Sequence, residues 1–314
     1  MYIIDSYSLA VIFCIITMIC WGSWANTLKL SSRDWPFQLY YWDYCIGLVL
    51  TALLLAFTLG SLGNAGVTCL GNDMYANELM HNFTRDGIRT DYIFRDPVAS
   101  TGSALIMLDR DGNNYLSVAP GANYRLLPRH IDQSLDAIKQ TDLIVMQMEI
   151  PFGTTAYVFE QAGKYGKKIL FNLASARPFD LSMLRHVYAF VVNEVEASMV
   201  TGLKVETDEE IIIAADKLLA LGPSLVIITL GARGSYIASA EYRQFIPAFR
   251  VKAVDTTAAG DVYCGSLAVA IVEGKILPEA VRFAGAASAL SVTRLGAQPS
   301  APKREEIEEL LKRL

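Results

Sequence analysis

The sequence predicts an α/β protein: a mostly parallel β-sheet covered on both faces by helices, preceded by a two-helix membrane hairpin. Two observations predict it. From about Gly66 onward, short apolar runs (DLIVMQME, KKILFNLA, AFVVNE, SLVIITLG) alternate with amphipathic stretches such as DEEIIIAADKLLALG. That alternation builds βαβ units whose strands are buried on both faces. Ahead of it, the chain is uncharged from Ser6 to Leu28 and apolar again from Tyr44 to Leu59. Each run is read as a helix crossing a hydrocarbon layer of roughly 30 Å.

Taken in order, the first two runs flank SSRDWPFQLYYWDY, whose Trp35, Phe37, Tyr40, Tyr41 and Trp42 form an aromatic belt suited to a membrane interface. The start, MYIIDSYS, lacks the positive region of a signal peptide; a pair of buried core helices is the alternative. Two spans put both ends on one side, and a cytoplasmic C-terminal domain then leaves Lys29 and Arg33 outside, against the positive-inside tendency.

After Gly60 the text changes character. GVTCLG reads as a strand and NDMYANELMHNFTRDGI as a helix, while TDYIFRD and TGSALIMLDRDGNNYLSVAPGAN read as a strand and a hairpin turning at Asp111-Gly112. LDRDGNNY imitates a calcium loop, but counting from Asp109 puts Asn114 where the sharp-turn glycine belongs and Pro120 where the bidentate glutamate belongs. Near the C-terminus, VDTTAAGDVYCG couples small residues to an apolar helical pattern and describes an anion-attracting helix N-terminus. An aspartate at that point, Asp261, is either a helix-start charge or a reacting group.

Composition narrows the function. The chain has 314 residues and a net charge of −5, with no basic field for nucleic acid. Its five cysteines (Cys14, Cys20, Cys45, Cys69, Cys264) fall in no paired spacing, and His81, His130 and His186 stand apart, so neither a disulfide framework nor a zinc site is read. In an open α/β sheet, ligands bind beyond the carboxyl ends of the strands. Those ends carry Glu149, then Asn193 and Glu196, then Thr229, Gly231 and Gly234, and finally VDTTAAGD.

In this order and spacing, DTTAAGD, NEVE, TLGARG, QMEIP and the C-terminal VTRLGAQPS resemble the ribokinase-like sugar kinases of the PfkB type, from about residue 63 to 314. The resemblance implies a three-layer α/β/α sandwich with a small β lid, and phosphoryl transfer from ATP to a sugar hydroxyl, ribose giving ribose 5-phosphate. It implies Asp261 as general base, the N–H groups of Ala259 and Gly260 as the anion hole, and Glu149 as a sugar contact. Asn193 and Glu196 would order Mg²⁺ and the phosphates, and Thr229, Gly231, Arg233 and Gly234 would line the nucleotide. Asp255, Thr257, Ser291, Arg294, Gly296 and Ser300 match a K⁺ loop built mostly from main-chain oxygens. The hairpin from Thr101 to Asn123 matches part of the lid. Gly285 stands where the family usually has a polar side chain near the adenine.

Residues 1–62 resemble instead the first helices of glucose/ribose porter-type transporters, through CWGSWANTLKL. The family's opening strand with an Asn-x-Asp sugar contact, and its GGKGAN-like stretch, do not appear, so the kinase domain reads as N-terminally truncated. Three functions stay open: a membrane-tethered sugar kinase with its domain in the cytoplasm, a nucleotide-binding transporter–kinase chimera without turnover, and a membrane interaction protein. A homodimer is compatible with each.

Overall fold

The computed structural model describes residues 65–108, 114–174 and 177–313, with backbone alone for 105–108 and 114–116. The expected membrane hairpin over residues 6–60, the transporter likeness over 1–62 and the turn at Asp111-Gly112 lie outside the described residues. Among the described residues no helix is long and apolar enough to cross a membrane.

The described chain opens with β1 (Thr68–Leu70), α1 (Met74–Arg85) and β2 (Ile93–Arg95), the two strands pairing in parallel. Asp73 starts α1 as its N-cap, its carboxylate accepting from the Ala76 N–H at 2.9 Å. Next come β3 (Ser103–Leu108) and β4 (Asn114–Ala119), an antiparallel hairpin that forms a sheet of its own. Short helices α2 (Pro128–Gln133) and α3 (Leu135–Gln140) lead into the main sheet.

That sheet has six strands: β5 (Leu143–Met146), β6 (Lys168–Asn172), β7 (Ala189–Asn193) and β8 (Leu225–Thr229), all parallel, then β9 (Ser235–Ser239) and β10 (Arg243–Ile246), antiparallel. Between them run α4 (Phe152–Lys164), α5 (Glu194–Thr201) and α6 (Asp208–Leu219); after them come α7 (Ala259–Val272), α8 (Leu277–Ser291) and α9 (Arg304–Lys312).

Alternation along each strand feeds two cores. Phe171, Phe190, Val192, Val226 and Ile228 pack with Val158, Phe159 and Ala162 of α4 and Ile211, Ala215 and Leu218 of α6. Leu170, Ala189, Val191, Leu225 and Ile227 pack with Val262 and Leu267 of α7 and Phe283, Ala284 and Ala287 of α8. Strands buried on both faces explain why the sequence shows continuous apolar runs and not alternating ones. Helix α7 is buried along nearly its whole length, as its all-round apolar composition requires.

Two features depart from the expectation of one mostly parallel sheet. SYIAS and RQFI form β9 and β10, which reading by strong apolar runs passed over. Strand β1, expected beside the others, pairs among the described residues only with β2, and β5 only with β6. The β3–β4 hairpin and the alternating β/α order stand as expected.

Candidate active site

The carboxyl ends of β5, β7 and β8 and the N-terminus of α7 meet along one edge of the sheet, with α7 packed over β5 and β6. Asp261 occupies the third position of α7, but it is not a solvated helix-start charge. It is 7% exposed and accepts a hydrogen bond from Gln147 Nε2 at 3.3 Å. Burial pushes its carboxyl from 3.8 up to about 7, the Gln147 bond pulling part of the way back. A carboxylate titrating near neutrality is suited to taking a proton from a hydroxyl.

The helix that presents it begins without a side-chain cap. Ala258, its N-cap, sits at φ 59°, the one non-glycine in left-handed backbone among the described residues. That conformation costs a non-glycine residue about 1–2 kcal/mol, and the helix follows directly with its first-turn N–H groups. Those groups have no intrahelical acceptor. Of the two expected donors, Ala259 N–H already makes a long 3.3 Å bond to the Thr256 carbonyl. An anion would have to displace that bond, whereas Gly260 N–H has no such competitor among the described residues.

Asn193 and Glu196, expected at the metal and phosphates, bind each other. Glu196 N–H donates to Asn193 Oδ1 at 2.8 Å and Asn193 N–H donates to Glu196 Oε2 at 2.8 Å, a capping box that starts α5. Glu196 is nonetheless buried, and burial raises its carboxyl pKa against the Asn193 bond. Buried Cys264, one turn after Asp261, lies within electrostatic reach of both Asp261 and Glu196, and its thiol is raised well above the ordinary range, first by burial and then by those two charges. Among the described residues no three acidic, histidine or cysteine side chains form a metal cage. One carboxylate still fits Mg²⁺, which keeps most of its water and phosphate oxygens.

Asn193 and Thr229 are register partners at the ends of β7 and β8, and Thr229 Oγ1 donates to the Val192 carbonyl at 3.3 Å. Gly231 and Gly234 shape the following turn. Gly234 lies at φ 103°, and a Cβ there would sit 2.1 Å from the Ile246 carbonyl oxygen, so no other residue fits. The Arg233 guanidinium pairs with Glu194 at 2.6 Å and Asp208 at 3.5 Å. At Gly285 a Cβ would meet nothing within 4 Å, so the departure from the family pattern is an open space and not a steric demand.

Asp255 is buried and accepts Thr257 N–H at 2.8 Å on one oxygen and Gly296 N–H at 2.9 Å on the other. The Val292 carbonyl takes the N–H groups of Val254 and Asp255. The loops carrying Thr257, Ser291, Arg294 and Gly296 are thereby clamped side by side, with Ser300 fully buried nearby in sequence. The Arg294 side chain pairs with Glu306. Glu149 is buried two residues beyond Gln147. Gln147 itself escaped sequence reading: it lies inside QMEIP, but nothing local marks it, and its role exists only across 114 residues of separation.

The pfkB family carbohydrate kinase profile matches residues 55–304. The chain belongs to that family. This pfkB-family member is a phosphotransferase that uses a sugar hydroxyl as acceptor. It is 35% identical to the ribokinase of Haemophilus influenzae over 247 residues, 79% of this chain and 81% of that protein. It is likewise 35% identical to the deoxyribokinase of Salmonella typhimurium, over 78% of this chain and 80% of that one. The structure of Arabidopsis thaliana ribokinase complexed with ribose and ATP superposes with a TM-score of 0.73 at 32% identity, covering 83% of this chain and 85% of that one. The pfkB-family fold therefore extends over the described sheet and its two helical layers.

Proposed function

We propose that the protein is an ATP-dependent ribokinase in which Asp261 is the general base. The observation that carries this is the placement of a buried carboxylate, titrating at about 7, on the first turn of a helix, where N–H groups have no intrahelical acceptor. Asp261 takes the proton of the ribose 5-hydroxyl as that oxygen attacks the γ-phosphorus of ATP, and the bond to the β-phosphate oxygen breaks. Gly260 N–H, joined by Ala259 N–H as it exchanges from Thr256, stabilises the charge on the transferring group. Catalysis of this kind rests on fixed dipoles and positioning more than on covalent chemistry.

Glu149 binds the sugar hydroxyls, Asn193 and Glu196 reach the phosphates, and the turn from Thr229 to Gly234 lines the nucleotide. Mg²⁺ carried with ATP supplies charge neutralisation at the β- and γ-phosphates, with Glu196 the residue that would hold its water shell. The clamped loops at Asp255–Thr257 and Ser291–Gly296, with Ser300, would hold K⁺ next to the start of α7. Residues 6–60 would anchor this domain to a membrane from the cytoplasmic side.

The purified full-length chain in detergent, with ATP, Mg²⁺ and K⁺, is expected to form ADP in proportion to added ribose and more slowly with deoxyribose, and to slow when Na⁺ replaces K⁺. Preference for deoxyribose would move the assignment to the other relative. Bound ATP without sugar-dependent ADP would leave a nucleotide-binding chimera. Replacing Gln147 by leucine removes the bond that lowers the Asp261 pKa. The acid limb of the rate–pH profile is expected to move to higher pH, read from kcat/KM between pH 5 and 9.

A further inference from the structure

Asp73 does more than an N-cap needs. A cap requires one oxygen and one N–H, which Asp73 Oδ1 and Ala76 N–H already supply. Yet Thr101, at the root of the β3–β4 hairpin, binds it twice more: Thr101 N–H donates to Oδ2 at 2.7 Å and the Thr101 hydroxyl donates to Oδ1 at 2.7 Å. The same hydroxyl accepts Gly71 N–H at 3.1 Å, and Thr101 is 3% exposed. A Cβ on Gly71 would lie 2.4 Å from Thr101 N and 2.7 Å from the Ala99 carbonyl oxygen, so the end of β1 is pressed against this root.

The other foot of the hairpin lands at the same place. Ala122 N–H donates to the Ser100 carbonyl at 2.8 Å. Gly121 takes φ 48°, with 2.3 Å between a notional Cβ and the Ser100 oxygen, and a Cβ on Gly102 would come within 2.8 Å of the Pro120 oxygen. Beyond these feet β3 and β4 pair only with each other among the described residues, and a two-stranded ribbon has little stability or fixed direction of its own. Its direction is set where it is rooted. There, Ala104 of β3 packs on Ala297 and Ala258, the second of which is the strained residue that starts α7.

We infer that Asp73 is a positioning residue that, through Thr101, latches the root of the hairpin against the start of the catalytic helix. The latch rests on the reading of that hairpin as the sugar lid, and its action is to hold the lid in register with the turn at Ala258 to Asp261. The carboxyl suits the task. Burial alone would raise its pKa, but the bonds from Thr101 and Ala76 outweigh that and leave it below the ordinary carboxylate range, so it stays an acceptor throughout neutral pH.

The test is amide hydrogen exchange on the full-length chain, following residues 103–108 and 114–119 against β6, β7 and β8. Asp73→Asn keeps one acceptor oxygen for the cap but loses the second; Thr101→Val keeps the shape and loses the hydroxyl. Both are expected to speed exchange of the hairpin by about tenfold while leaving β6–β8 within about twofold, as local opening does when a root contact is lost. Thr101→Ser, which retains the hydroxyl, is expected to exchange like the parent. In the sugar assay the first two raise the ribose KM more than they lower kcat. Unchanged hairpin exchange in both variants, or equal acceleration of β6–β8, would overturn the latch. If the parent chain shows no turnover, the kinase reading suffers, but the exchange result still decides the latch.

Discussion

Asp261→Asn is expected to lower kcat for ribose phosphorylation by about 10²–10⁴-fold, the usual worth of a positioned base, with ATP binding retained. Asparagine keeps the volume and can still meet Gln147, so the packing of α7 survives. Stability should move the other way. In the folded protein the Asp261 carboxyl titrates at about 7, above its ordinary value of 3.8, so the folded state holds the proton more tightly. The stability tied to this group is complete below pH ~4 and is lost as pH rises through about 7. A tenfold difference in proton affinity between the folded and unfolded chain is worth about 1.4 kcal/mol, so on the order of a few kcal/mol is at stake at pH 8. Asparagine removes that loss. Thermal melts should show the variant equal to the parent near pH 4 and more stable at pH 8. A variant that melts lower at pH 8 would mean that Asp261 is a structural acceptor and not a reacting group held ionised at a cost.

Asp255→Ala should do the opposite, harming stability and activity together. Both of its oxygens are taken by backbone N–H groups, those of Thr257 and Gly296, and the residue is 3% exposed. Hydrogen bonds to a charged acceptor are worth about 1.5–3 kcal/mol each, and the two N–H groups would be left unsatisfied. A loss of roughly 3–5 kcal/mol is expected, which in a domain of this size lowers Tm by about 6–20 °C. The clamp also aligns the two loops beside the start of α7. The variant should therefore lose whatever K⁺ stimulation the parent shows, even at temperatures where it remains folded. A Tm within about 2 °C of the parent would reject the clamp.

Much of this was legible in the chain. DLIVMQME, KKILFNLA, AFVVNE and SLVIITLG read as strands because a strand buried on both faces must be apolar at consecutive positions. VDTTAAGD read as a helix start because small residues ahead of an apolar helical pattern permit one. What local reading missed was the pairing of partners. SYIAS and RQFI contain too few apolar residues to announce β9 and β10, which exist because β8 offers an edge to pair with. Asn193 and Glu196 looked like phosphate ligands, and the structure shows that they also close a capping box on each other. Arg233 looked like part of a nucleotide turn, and its guanidinium is engaged by Glu194 and Asp208.

The sequence by itself determined the α/β class, the order of elements and the residue types at the strand ends, because periodicity and small-residue runs are local properties of a chain. Only the tertiary structure decided whether Asp261 is a solvated charge or a buried carboxyl with a raised pKa. The answer depends on Gln147, 114 residues away, and on the burial that two packed layers impose. Likewise the tie from Asp73 to Thr101 crosses 28 residues. A carboxylate's pKa and its partners are set by what surrounds it in space, and no spacing along the chain encodes that.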